Sequence, residues 1–221
     1  MKHQLRQIIT HNLDCYLNLH LEKLLPEQKE NAIAHYNNDI DRIMDYCFLN
    51  LIDISDNTLS EDFIKWLHKS LYPEWYIQKA KDTNGEEFVW MVPWEYKKVT
   101  IIGRESGNKD IYEKVENVES AMGVLLARFN SRMQSDISET EKKDELLYFA
   151  LDFVSIHPFG DWNGRIDGIL VDLLCLKFWV PPLFLLKLYK EHKTEFIQAL
   201  NLSRKDRDLR YLYEVIEKYS E

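Results

Sequence analysis

Nine consecutive residues, His157-Pro158-Phe159-Gly160-Asp161-Trp162-Asn163-Gly164-Arg165, hold a proton acceptor, a hard oxygen ligand, a permanent cation and two glycines. His157 could take a proton from an incoming hydroxyl. Asp161 offers a carboxylate to Mg²⁺. Pro158 and Gly160 stop the helix ahead of the run, and the polar turn opens directly into the next helix. The first N–H groups of that helix, at Asn163 and Gly164, should therefore point outward without intrahelical acceptors, which makes an anion site. Gly164 lets a phosphate approach the backbone closely, and Arg165 adds a charged fork matched to phosphate oxygens. These are the parts for transfer from a phosphate-bearing donor to a hydroxyl. Taken singly, a histidine ending an apolar stripe is most often a satisfied core residue, and an Asp-x-Asn-Gly run most often a turn and cap. Their coincidence between two strongly apolar segments points to a site.

The flanking segments must hold these groups in place. Leu146, Phe149, Ala150, Phe153, Val154 and His157 recur at three- and four-residue steps and predict a helix whose buried stripe ends at the histidine. Ile166, Ile169, Leu170, Leu173 and Leu174 predict the helix that follows. The same periodicity marks helices at Leu5, Ile8, Ile9, Leu13, Tyr16 and Leu17, and from Glu27 past Pro26 through Ile33, Tyr36, Ile40, Ile43, Met44 and Cys47. Ser60 reads as the N-cap of a short helix with Phe63, Ile64 and Leu67, closed by Pro73. Further helices are expected from Val118 through Met122, Leu125, Leu126 and Phe129, near residues 190–201 and near residues 206–219. Between residues 73 and 117 the pattern changes. Asp82, Asn84 and Gly85 signal a turn, and the β-leaning runs 98–102 and 111–115 predict one hairpin on an otherwise helical body. Trp75, Tyr76, Phe88, Trp90 and Trp94 read as a packed aromatic cover for the core.

The 221 residues carry a formal charge of −9, which disfavours a nucleic-acid partner. With 45% hydrophobic and 29% charged residues, the chain has the composition of one sizeable globular unit that buries roughly 70% of its unfolded surface. Cys15, Cys47 and Cys175 are not paired at ligand spacing, so neither a disulfide framework nor a zinc site is expected. A reducing cytosol is the expected compartment, with export as an effector left open. The apolar region 169–186 is broken by Asp172, Lys177, Pro181 and Pro182, so no membrane span is expected, and the N-terminal residues lack a signal-peptide apolar core.

The run His157–Arg165 strongly resembles the signature of the Fic (Fido) family, H-x-F-x-[D/E]-G-N-G-R-x-x-R. The likeness extends over about residues 59–219. The helix carrying LHKSLYP is similar to the family's early helix, the runs between 99 and 115 stand where Fic domains carry their flap, and YKEHKTEFIQALNLSRKDRDLRYLYEVI is similar to the helices after the motif. The resemblance implies an all-α, Fic-type helical domain with a β-hairpin flap, spanning 59–221 behind an N-terminal helical extension at 1–58. It also implies transfer of a nucleoside monophosphate, most often AMP from ATP, to a Ser, Thr or Tyr hydroxyl of a protein docked at the flap. By position, His157 would be the general base and Asp161 the Mg²⁺ ligand, while Asn163, Gly164 and Arg165 would hold the phosphates of the donor nucleotide. Phe159 would anchor the loop to the core.

Two positions depart from the signature. Trp162 stands where the family has glycine, and if that glycine is left-handed the tryptophan costs roughly 1–2 kcal/mol. The indole is expected either to pack on the flap or to lie beside the donor. Gly168 stands where the family has its second arginine, and Asp172, one turn on, is expected to put a carboxylate beside the vacated place. ATP would then be held less well, which opens two alternatives: phosphocholine-type transfer from a CDP-linked donor, or a weakened module that binds nucleotide or protein. The family's inhibitory motif has its nearest counterpart around Glu30, with its first position wrong, so control by that route is not expected.

Overall fold

The computed structural model describes residues 3–10, 30, 43–52, 58–70, 78–81, 84–99, 101 and 112–219. Residues 3–10 and 43–47 are helical, followed by a π-helical turn at Phe48–Ile52, and Leu5, Ile8, Ile9, Ile43 and Cys47 from these segments are buried in the common core. Met44 is buried with them, and the remaining residues named for the first two helices, together with Cys15, Pro73, Trp75 and Tyr76, lie outside the described residues.

Helix α1 (Glu61–Ser70) starts at Ser60, whose hydroxyl accepts the Phe63 N–H at 3.1 Å, and buries Phe63, Ile64, Leu67 and His68 along one face. Helix α2 (Val118–Met133) follows a short 3₁₀ turn at Val115–Asn117, and its Asn130 side chain both accepts from and donates to the Leu59 backbone, at 2.7 and 3.0 Å. Helix α3 (Glu139–Ile156) opens on a reciprocal Ser138–Glu141 capping box. It packs between α2 and α4 (Asn163–Phe178). In α4 every residue except Gly164 and Arg165 is buried, so this helix is the centre of the molecule and reaches the surface only at its start. Helices α5 (Leu185–Glu191), α6 (Lys193–Asp206) and α7 (Arg210–Tyr219) close the fold around it. The fold is all-α with one small hairpin, and no helix among the described residues is long and apolar enough to cross a membrane.

The hairpin is upstream of its expected place. Strand β1 (Gln78–Lys81) pairs antiparallel with β2 (Glu87–Met91) around the turn that holds Gly85, whose φ of 83° suits glycine. Of the runs read as a hairpin, Lys98, Val99 and Ile101 are not strand and Val115 begins the 3₁₀ turn, while residues 102–111 lie outside the described residues. The charged run QKAK of β1 has little strand propensity of its own, and it is drawn into the ladder by pairing Lys79 with Val89 and Ala80 with Phe88. Of the aromatic cover, Phe88 and Trp90 are partly buried, whereas Trp94 is exposed.

Candidate functional site

His157 ends α3. Its backbone is left-handed, with φ 51° and ψ 59°, and its N–H closes the last turn onto the Phe153 carbonyl at 2.9 Å. This reverses the chain, so Pro158 to Asp161 cross from the end of α3 to the start of α4. The imidazole is half-buried and lies against the ring of Tyr112, with centroids 3.9 Å apart and planes at 27°. Its Nδ1 is 3.4 Å from the Val154 carbonyl, an acceptor only, so the proton belongs on Nδ1 and the lone pair on Nε2. Burial, then the nearby charges of Lys97 and Arg204, push the imidazole down to about 4 against the weaker opposing effect of that carbonyl. It is therefore neutral at physiological pH.

The crossing loop is braced from inside. The Asn163 side chain, 1% exposed, accepts the Phe159 N–H at 2.8 Å and donates to the Phe159 carbonyl at 2.9 Å. The phenyl ring of Phe159 is fully buried and stacks on His68 of α1, with centroids 3.9 Å apart and planes at 7°. Gly160 faces β2, and a Cβ there would lie 2.6 Å from Cγ of Met91, so only glycine lets the hairpin seat against the loop. His68 joins the two: its Nδ1 accepts the Trp94 N–H at 3.1 Å, which leaves Nε2 to donate toward the Asp161 carbonyl at 3.4 Å. Burial pushes His68 down to about 3, which suits this neutral bridging form.

At the start of α4, Trp162 is the residue before the first helical position and adopts the left-handed backbone expected of the family's glycine, with φ 70° and ψ 9°. Its indole is buried, 3% exposed. The Arg165 guanidinium lies over it, 4.3 Å from the ring centroid, and donates to Asp161 Oδ1 at 3.3 Å. Asp161 Oδ1 also accepts the Trp162 N–H at 2.7 Å, yet the Asp161 side chain stays 40% exposed. The amides of Asn163 and Gly164 precede the first intrahelical bonds. A Cβ at Gly164 would meet nothing within 4 Å, so the space beside its Cα is open.

Two expectations about the departures are overturned. Gly168 does not mark an empty place beside the loop: a Cβ there would lie 2.9 Å from Cβ and 3.2 Å from the backbone nitrogen of Leu186, so glycine is what allows α5 to pack on α4. Asp172 does not face the loop either. It is fully buried and accepts the N–H groups of Leu183 and Phe184 at 3.0 and 2.9 Å, capping the approach to α5. Spacing along one helix placed both residues on a common face, but the identity of the neighbour on that face depends on α5.

His68, Lys97 and Tyr112 escaped the motif reading because each comes from a different segment. Only His68 left a trace, since it continues the Ile64–Leu67 stripe of α1.

No protein-family model matches the chain. A curated sequence, Protein adenylyltransferase Fic of Culex quinquefasciatus, is 26% identical over 83 residues, covering 36% of this chain and 16% of that protein's length. Three solved structures share the fold. A Fic domain containing signaling protein of Bacteroides thetaiotaomicron superposes with a TM-score of 0.61 at 17% identity, over 99% of this chain and 81% of that one. A Fic family protein of Desulfovibrio desulfuricans gives 0.57 at 14% identity over 98% and 62%. Fic-1 of C. elegans gives 0.58 at 16% over 99% and 67%. The chain has the fold of Fic-domain proteins, and over 83 residues its sequence is similar to a Fic adenylyltransferase.

Proposed function

We propose that this chain transfers a phosphate-linked group, in the first instance AMP from ATP, to a Ser, Thr or Tyr hydroxyl of a protein. The observation that carries the reading is the neutral imidazole of His157 at the end of α3, with its proton on Nδ1 and the lone pair of Nε2 left to accept one. In the step proposed, Nε2 takes the hydroxyl proton as the hydroxyl oxygen bonds to the α-phosphorus and the bond to the leaving pyrophosphate breaks. The backbone amides of Gly164 and Asn163 and the Arg165 guanidinium would hold donor phosphates. Trp162 would act beneath Arg165 as its floor. The side chain of Asn163 is already engaged by Phe159, so only its backbone is offered.

The residues present fit Mg²⁺. The Asp161 carboxylate is partly exposed with Oδ1 engaged, and one carboxylate plus substrate phosphates is the usual protein share of a Mg²⁺ site. When bound, the ion would neutralise phosphate charge.

A second reading, a module that holds nucleotide without turnover, is favoured by one observation. A base brought down to about 4 and covered on one face by Tyr112 is a weak proton acceptor.

The test is incubation with Mg²⁺, a mixture of candidate proteins and labelled ATP, UTP, GTP or CDP-choline, read by mass spectrometry. An adduct that disappears in His157→Ala is the result expected, with the donor that labels naming the transferred group. In Asp161→Ala, donor binding should lose its dependence on Mg²⁺. Nucleotide-induced thermal stabilisation without any adduct selects the binding module, and neither effect with any donor overturns both readings.

A further inference from the structure

We propose that Lys97 is the positioning residue for His157, a buried ammonium that ties together the chain segments on either side of the imidazole. Lysine is almost never fully buried, yet Lys97 is 3% exposed. Its backbone N–H donates to the carbonyl of Pro158, the residue after His157, at 2.8 Å. Its Nζ donates to the carbonyl of Ile156, the residue before His157, at 3.1 Å. The same Nζ donates at 2.6 Å to the carbonyl of Glu113, beside the Tyr112 ring that stacks on the imidazole. Three hydrogen bonds from one residue therefore bracket the proposed base from both directions along the chain and from the face that covers it.

The electrostatics explain why a lysine is held there. Taking an ammonium out of water is costly unless its protons are accepted. The Ile156 carbonyl is among the last four of α3, which lack intrahelical donors and carry the negative end of the helix dipole. Burial pushes Lys97 down to about 8 against the opposing pull of Glu113, so it remains mostly charged at neutral pH. That charge in turn is the second cause, after burial, of the lowered imidazole. The side chain thus fixes the position of His157 and helps keep it neutral.

This inference rests on the reading of His157 as the base, and the test separates the two. Lys97→Met and Lys97→Gln remove the charge, and Lys97→Arg keeps it. The His157 ring signals, assigned by difference with His157→Asn, are followed by NMR through a pH titration. In Lys97→Met the titration midpoint should rise above its position near 4, with Arg204 and Tyr112 still in place, and the ring-current shift from Tyr112 should diminish. Lys97→Gln, which keeps a donor and is the variant to use where Lys97→Met does not fold, should show the same rise. In turnover with the labelled donor, kcat should fall on the order of tenfold to a hundredfold with the donor KM little changed, and Lys97→Arg should recover part of it. An unchanged His157 midpoint and ring shift in both uncharged variants would overturn the proposal, as would a loss confined to KM. If the wild-type protein forms no adduct, the transfer reading fails while the NMR result still decides the role of Lys97.

Discussion

The guanidinium of Arg165 lies 4.3 Å above the centre of the Trp162 indole. The residue that departs from the Fic signature thus supports one that matches it. A buried, electron-rich face beneath an arginine contributes about 0.5–2 kcal/mol and limits where the fork can swing. The same arginine is tied to Asp161 at 3.3 Å, so floor, cation and carboxylate form one unit at the start of α4.

Trp162→Gly should destabilise the protein even though it restores the family residue. Removing a buried tryptophan costs about 3–5 kcal/mol, and relief of the left-handed backbone at φ 70° returns roughly 1–2 kcal/mol. The expected net loss is about 1–4 kcal/mol, measured by urea denaturation. A variant as stable as the parent would show that the indole contributes nothing beneath Arg165.

Gly168→Ala should cost about 1–3 kcal/mol by overpacking, because its new methyl would meet Leu186 at 2.9 Å. Gly168→Arg should be worse and should not improve ATP binding, since the position faces α5 rather than the motif loop. Calorimetric melting with and without ATP checks both, and an arginine variant that melts normally and binds ATP more tightly would refute the packing account.

Acidification should weaken the fold through two histidines, the buried His68 and the half-buried His157. His157 is held near 4 and His68 near 3, mainly by burial, against about 6.5 in the unfolded chain. Between those values and 6.5 the unfolded chain binds protons that the folded one refuses. Their contribution is therefore complete above about pH 6.5 and is lost as the pH falls toward 4 and then 3, with a slope approaching 1.4 kcal/mol per pH unit for each. Asp167, raised well above the usual carboxylate range by burial and by Asp172, acts in the opposite sense. Comparing denaturation at pH 7 and 5 in the parent, His157→Gln and His68→Gln cancels that term, and each variant should show a shallower pH dependence than the parent.

His68→Leu should leave the Trp94 N–H without its acceptor and the Asp161 carbonyl without its donor. A loss of about 1–3 kcal/mol is expected, together with faster amide exchange at Trp94 and in the motif loop. His68→Gln, which can both accept and donate, should recover part of the protection. Unaltered exchange in the leucine variant would show that α1 does not hold the loop.

Much of this was legible before any coordinates. Leu146 to Val154 and Ile166 to Leu174 have helical spacing, so the elements flanking the motif could be read from apolar positions alone. The motif is contiguous, which is why its nine residues could be recognised together. What could not be read depends on contacts between distant segments. His68 meets Asp161 across 93 positions, and Lys97 meets Ile156 across 59. The charged strand β1 exists because of its partner rather than its own residues. Gly168 was misread because a missing side chain is ambiguous: it can mark a lost arginine or a close approach, and only the position of Leu186 distinguishes them.

The paired bonds between Asn163 and the backbone of Phe159 have a consequence for how this region could change over evolutionary time. A turn clasped from within, and braced by His68 and Lys97 from other segments, takes its shape from inward-facing contacts rather than from its exposed face. Exposed segments around the loop are then free to drift in sequence while the loop keeps its form.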